Sequence, residues 1–211
     1  MDVRFKVVDA SALGAIIFGK IWNAPILAFA GSIMVVIWLG AIGLCSDDRD
    51  DQTSQDIKIL LKAAHDSDQR IRVRALENLT SYGPRAAEAV PDLCAIIENP
   101  SLRKDSFTLG QAAIALGEIG GQAKNAIPVL QRVVRDRKVS SASQAEAMTA
   151  IGKIWLQDSD PELRIRGATK LAEAGPTELN ALKRALFDKD PRVRDAVEKA
   201  IQNIENRTKK Q

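Results

Sequence analysis

The sequence is poor in aromatic residues, histidine and cysteine. Aromatic side chains make up 4% of its 211 residues, and the chain contains one histidine and two cysteines. So few aromatics beside so much alanine, leucine and isoleucine favour helices over a β-sandwich. Cys45 and Cys94 predict no disulfide framework. Because His65 is the single histidine, the chain lacks the several histidines of a histidine-based metal centre, and a nucleophile relay would have only His65 to use. We predict no catalytic residue, no metal and no cofactor.

Net charge is also small. The formal charge of +3 is too low to indicate a nucleic-acid partner. The positive excess is concentrated in one half, because residues 101–211 hold 20 Lys and Arg against 14 Asp and Glu. Any basic surface is therefore expected in the C-terminal half.

One long segment carries no charge at all. The 22 residues from Ala24 to Cys45 read APILAFAGSIMVVIWLGAIGLC, and a helix rising about 1.5 Å per residue would cross a hydrocarbon core of about 30 Å over that length. The sequence predicts a transmembrane helix here. A buried core helix and a cleaved signal peptide are the alternatives. Basic residues flank the segment almost evenly, and we expect the large domain on the extracytoplasmic side.

The rest of the chain repeats itself. DQRIRVRALENLTSYGP from Asp68 aligns without a gap with DPELRIRGATKLAEAGP from Asp160, and DPRVR at Asp190 opens a third copy. GPRAAEAVPDL from Gly83 and GGQAKNAIPVL from Gly120 define a further register of 37 residues. The positions that coincide between the first two copies are Asp68/Asp160, Arg72/Arg164, Arg74/Arg166, Leu79/Leu171, Gly83/Gly175 and Pro84/Pro176.

Each repeated residue type has a physical role. The aspartates are expected to cap helix N-termini, with proline following at the first helical position. Ile71, Ala75 and Leu79 recur every four residues and predict an apolar stripe. Gly83, Gly120 and Gly175 are expected to end the first helices in a left-handed conformation. The repeated arginines are expected to brace neighbouring caps or carbonyls. Each glycine is followed by a second helix, so the units predict an α-solenoid.

These units resemble HEAT repeats, particularly the short form called phycobilisome-lyase-like. The resemblance covers about residues 55–206 and rests on the D-P-x-[LV]-R … G-P pattern followed by A-[VI]-P-x-L. It implies an all-α solenoid of about four to five short helix pairs. Metal-dependent relatives carry His-Glu pairs for an iron centre, and this chain has none. The predicted domains are a tail at 1–23, the span at 24–45, an acidic linker at 46–54, the solenoid at 55–206 and a basic tail at 207–211.

One unit departs from the register. The helix in SSASQAEAMTAIGKIWLQ aligns with a first helix, yet Asp158 to Asp160 open a new cap before a second helix can fit. We expect this unit to be truncated or paired out of phase, and the stack to bend near Trp155.

The residues that fail to repeat point to function. In HEAT solenoids the second helices typically line a concave, partner-binding face, and the resemblance implies the same here. The first hypothesis is a membrane-anchored scaffold that binds a protein partner without catalysis. The alternatives are a lyase-like or enzyme-accessory protein acting on a tetrapyrrole, and binding of nucleic acid or anionic lipid. The predicted partner-binding residues are Gln131, Arg132, Arg135, Lys183 and Arg184.

Overall fold

The structure is a computed structural model that describes residues 51–102 and 104–209, and these residues form helices joined by short turns, with no strand among them. The predicted tail and span lie outside the described residues. None of the described helices is long and apolar enough to cross a bilayer. The helices are α1 (51–63), α2 (Gln69–Tyr82), α3 (Val90–Glu98), α4 (Ser106–Ile119), α5 (Ile127–Arg135), α6 (Ser141–Leu156), α7 (Pro161–Ala174), α8 (Leu179–Ala185) and α9 (Pro191–Thr208).

The predicted helix starts are confirmed. The Asp68 carboxylate accepts a hydrogen bond from the Arg70 backbone N–H at 2.8 Å, and Asp160 and Asp190 accept equivalent bonds at the starts of α7 and α9. These bonds satisfy backbone donors that have no partner inside the helix. The repeated aspartates therefore mark where each helix begins.

The predicted helix ends are confirmed as well. Gly83, Gly120 and Gly175 are the residues with positive φ in the described part of the chain, at 53°, 71° and 111°. Their ψ values lie between −130° and −164°, so they occupy a region that only glycine enters readily, rather than the left-handed helical one. After Gly83 and Gly120, one 3-10 segment each (Gly83–Ala89 and Gly120–Ala126) turns the chain into the second helix.

Helices α2, α4 and α6 stand side by side and run in the same direction. Arg72 contacts Thr108 near the start of α2 and α4, and Thr80 contacts Gln111 further along both. The same holds between α4 and α6, where Ser143 bonds to Ser106 and Lys153 to Glu118. We call α2, α4, α6, α7 and α9 the first-helix row; α3 and α5 pack against one side of it, the inner face.

The chain reverses after α6. A side-chain carbon added at Gly152 would meet Leu171, and one added at Gly167 would meet Leu156. Residue numbers thus increase along α6 where they decrease along α7. Helices α6 and α7 are therefore antiparallel neighbours, joined by a turn over 157–160 with no second helix between them. The truncated unit predicted near Trp155 is confirmed, and the expected bend is a reversal of direction.

The reversal moves α8 to the other side of the row. Leu116 of α4 and Ile151 of α6 face the inner core. Glu118 and Lys153 come two residues later on the same helices, which is a rotation of about 200°, so they point to the opposite side of the row. Lys153 also contacts Glu178, immediately before α8, at 3.0 Å. Helix α8 thus approaches the side opposite α3 and α5, which we call the outer face.

The core divides accordingly. One buried cluster collects side chains from α1 to α6, among them Ile57, Leu93 and Leu130. A second cluster joins α7, α8 and α9 through Leu171, Leu182 and Ile204. Two blocks of the same repeat are therefore packed on opposite sides of one row.

Four expectations need correction. The described residues contain three complete helix pairs, α2/α3, α4/α5 and α7/α8, rather than four to five. Residues 51–54, predicted as linker, are helical, and α9 extends to Thr208 in the predicted tail. Ile71 is 45% exposed instead of buried. It occupies the position that Thr108 uses in α4 to contact the preceding helix of the row, and α2 is the first helix of that row in the described residues.

Candidate functional site

The predicted residues of α5 lie on the inner face. Arg132 forms an ion pair with Glu98 of α3 across a cleft of about 60 Å3. Gln131 is partly buried, and Arg135 is exposed without an ion-pair partner among the described residues. On this part of the inner face, α3 and α5 are joined by an exposed ion pair, and Arg135 stays open to solvent.

The predicted residues of α8 lie on the outer face. Lys183 and Arg184 are exposed, and neither has an ion-pair partner within the described chain. Phe187 follows them and is 89% exposed. The predicted set therefore divides into two surfaces: the structure does not bring Arg132 and Arg135 next to Lys183 and Arg184, because the chain reversal puts α5 and α8 on opposite faces.

A groove of about 550 Å3 runs beside α8. One wall comes from α8 and the residues after it, through Ala181, Arg184 and Phe187. The floor comes from the C-terminal turns of α2, α4 and α6, through residues such as Ser81 and Glu118. We call this the α8 groove. It exists because α8 is the sole second helix on this face in the described residues, so the positions beside it over α4 and α2 are uncovered.

Three charged side chains connect the floor to α8. The Lys153 ammonium donates to Glu118 at 2.8 Å and to Glu178 at 3.0 Å. Burial lowers the pKa of Lys153, but its bonds to the two carboxylates outweigh this effect and raise the pKa above its usual value. The lysine stays charged and cannot serve as a base at neutral pH. The triad therefore joins the floor of the α8 groove to the start of α8.

The outer face of α4 carries a further apolar feature. Phe107 is 69% exposed, and Ile114 is partly exposed. Both residues lie on the outer side of α4, which α2, α6 and the inner helices leave uncovered. Their spacing along the helix puts them on the same side as Glu118. Sequence reasoning missed Phe107 and Phe187. The repeat register offered a signal for Phe107, because the equivalent positions in α2 and α6 are Arg70 and Ala142. Neither is a large apolar residue.

The described residues offer little for metal or covalent chemistry. They contain no group of three His, Cys, Asp or Glu side chains arranged to hold a metal ion. His65 is exposed in the turn after α1. Burial raises the pKa of the Cys94 thiol, so it is a weaker nucleophile than an exposed cysteine. The exposed side chains of the α8 groove remain candidates for binding.

The fold defines the class of an α-helical repeat protein. Comparison with known protein families gives a more specific result, because residues 57–150 match the family model of HEAT repeats. The match covers less than half of the 211-residue chain and runs from α1 into α6, ending before the reversal. This part is similar to HEAT repeats in general, without singling out the phycobilisome-lyase-like type. No curated protein matches the chain.

Proposed function

We propose that this protein is a membrane-anchored helical-repeat scaffold that binds a partner protein through the outer face, without catalysis. The binding proposal rests on two exposed side chains that lie together at the edge of the α8 groove. One is Phe187, and the other is Arg184, which has no ion-pair partner among the described residues. Aromatic and arginine side chains dominate binding energy at protein interfaces. HEAT repeats are also commonly protein-interaction modules, and residues 57–150 are similar to them.

The membrane part of the proposal rests on sequence alone. Residues 24–45 hold no charged side chain and are long enough to span a bilayer as a helix. The described residues would then form the part that meets the partner.

Two matched charge reversals test where the partner binds. The full chain is solubilised in mild detergent and captured by affinity, and the co-purifying proteins are quantified by mass spectrometry. We expect Lys183→Glu with Arg184→Glu to reduce a specific partner about tenfold, because it makes the edge of the groove acidic. Arg132→Glu with Arg135→Glu changes net charge by the same amount on α5 and is expected to retain the partner.

The alternative outcomes are distinct. A wild-type chain that enriches no protein above a mock capture would contradict the scaffold function. Loss of the partner in the α5 variant alone would keep the function and assign it to the inner face, as the sequence first indicated.

A further inference from the structure

At the start of the described stack, one flank of α1 and α2 is uncovered. Ser54 of α1 bonds to Glu88 in the turn before α3, so α1 stands in line with the second helices α3 and α5. Ile71 of α2 is exposed, whereas its equivalents Thr108 and Val193 are buried against the preceding helix of the row. Within the described residues, the row therefore lacks a first helix beside α2.

At the other end of the stack, one flank of α9 is uncovered. Helix α9 runs parallel to α7, because one ion pair joins the starts of the two helices and one hydrogen bond joins their ends. Ile201 of α9 is partly exposed, although its equivalents Leu79, Leu116 and Leu171 are buried. Each of those three belongs to a helix that a second helix follows, and no second helix follows α9 in the described residues.

The two flanks divide between them a charge pair of the repeat. Arg72 of α2 pairs with Asp105 at the start of α4. Arg194 of α9 is equivalent to Arg72; two carbonyls hold its Nη1, and its Nε and Nη2 have no partner among the described residues. Asp68 is equivalent to Asp105 and caps α2 without a cation of its own in the described part of the chain. A preoriented arginine thus faces outward at one end, and its matching carboxylate stands at the other.

The same register matches a second pair of charges. In α4 the position of Arg74 is taken by Gln111, which contacts Thr80 of the preceding helix. The equivalent of Thr80 in α9 is Gln202, and Glu198 lies one turn before it on the same side of the helix. Arg74 and Glu198 are both exposed, and neither forms an ion pair within the described residues. An α2 placed after α9 in the row would bring Arg74 beside Glu198.

We propose that the chain associates head to tail, with α9 of one copy docked on α1 and α2 of a second copy. The second copy's α2 extends the row in the direction of α9, and its α1 is the second helix that covers Ile201. Arg194 and Glu198 pair across the junction with Asp68 and Arg74. Because two different surfaces meet, the contact is heterologous and builds chains or rings of copies. This inference goes beyond the proposed scaffold function and does not involve the α8 groove.

Charge reversals in the full chain test the junction. The protein is solubilised in detergent and labelled with a fluorophore, and its self-association is followed by sedimentation velocity over a range of concentrations. We expect Arg74→Glu and Glu198→Arg each to weaken self-association about tenfold, because like charges then meet at the junction. The double variant forms the same pair with its signs exchanged and is expected to return to within about twofold of the wild type. Arg135→Glu on α5 is the control, since it changes the charge as Arg74→Glu does and lies outside the junction.

The outcomes that contradict the proposal are distinct. A wild-type chain that stays monomeric at every concentration would overturn it. So would self-association that both single variants retain, because another surface would then carry the contact, or a double variant as weak as the single ones. Capture of a partner protein is measured separately with the Lys183 and Arg184 variant, so the loss of self-association leaves the scaffold function standing.

Discussion

At the scale of single residues, two of the repeated arginines, Arg72 and Arg164, join consecutive units. Arg164 donates to the backbone carbonyls of Asp158 and Ser159 and forks onto both carboxylate oxygens of Asp188 at 2.7 and 2.9 Å. Arg72 also binds the carbonyls of Asp66 and Ser67, but it donates to one carboxylate oxygen of Asp105, at 2.6 Å, and its Nε donates to the Thr108 hydroxyl. The predicted bracing role of these arginines is confirmed.

These arginines lower the pKa values of the aspartates that they bind. The hydrogen bonds from Arg164 hold the pKa of Asp188 below its usual range. Burial raises the pKa of Asp105, but bonds from Arg72, Thr108 and Gln69 outweigh it and hold that pKa well below its usual range. Both aspartates stay ionised at neutral pH, so each arginine keeps a charged acceptor in the next unit.

The third copy supplies a matched control for this bracing. Arg194 occupies the same offset and donates to the carbonyls of Asp188 and Lys189, but no described unit follows to offer a carboxylate. We expect Arg164→Met to lower the free energy of unfolding by about 3 kcal/mol or more, because it leaves Asp188 as a largely buried unpaired charge. Arg194→Met should cost about 1 kcal/mol or less.

Urea unfolding of the full chain in detergent, followed by far-ultraviolet circular dichroism, measures both losses. Equal losses in the two variants would mean that the carbonyl bonds, not the inter-unit pair, carry the stability.

At the scale of helices, the reversal depends on a close approach between α6 and α7. A methyl group at Gly167 would lie 2.6 Å from the Leu156 nitrogen and 2.7 Å from the Gly152 oxygen. Both are backbone atoms, which cannot move aside as a flexible side chain does. Arg166 also stacks on the ring of Trp155, 4.6 Å from its centroid, and shields the indole where the inner face lacks a second helix.

This close approach predicts a contrast between two glycines. Gly167→Ala is expected to destabilise the protein by about 2 kcal/mol or more, because the added carbon forces the helices apart. Gly110→Ala in α4 is the control, since its added carbon would meet Glu146 at an ordinary 3.8 Å. Alanine should stabilise that helix by about 0.5 to 1 kcal/mol. Thermal unfolding of the two variants distinguishes them, and similar melting temperatures would contradict the tight α6–α7 contact.

At the scale of the whole molecule, the two ends of the described stack differ. Helix α9 buries Val193, Val197 and Ile204 against the second cluster and presents polar side chains on its other side. Such a polar outer surface is typical of the last unit of a solenoid. The opposite end keeps Ile59 and Ile71 exposed beside α1 and α2.

The proposed membrane anchor makes a topological prediction. With residues 24–45 spanning the bilayer and the solenoid outside, protease added to intact spheroplasts should cut the chain after residue 46, and alkaline carbonate should leave the uncut protein in the membrane fraction. Cleavage is read with an antibody to the C-terminus, and a cytoplasmic protein serves as the control for intact cells. A solenoid that stays uncut until the cells are lysed would contradict the orientation, and release by carbonate would contradict the span.

The sequence by itself determined where helices begin and end, because capping aspartates, first-turn prolines and positive-φ glycines act within a few residues of themselves. It also located the unit without a second helix, since the cap at Asp160 follows α6 too closely. The predicted basic positions were correctly found on helices α5 and α8, but not as one surface.

Only the tertiary structure decided which side of the row each second helix covers. A complete helix pair returns the chain to the end where it started, whereas the single helix α6 leaves it at the opposite end. Helix α7 therefore runs against its neighbour, and α8 packs on the outer face. That choice depends on contacts between Gly152, Gly167 and Leu171, which are distant from Arg132 and Arg184 in the chain, and local patterns do not contain it.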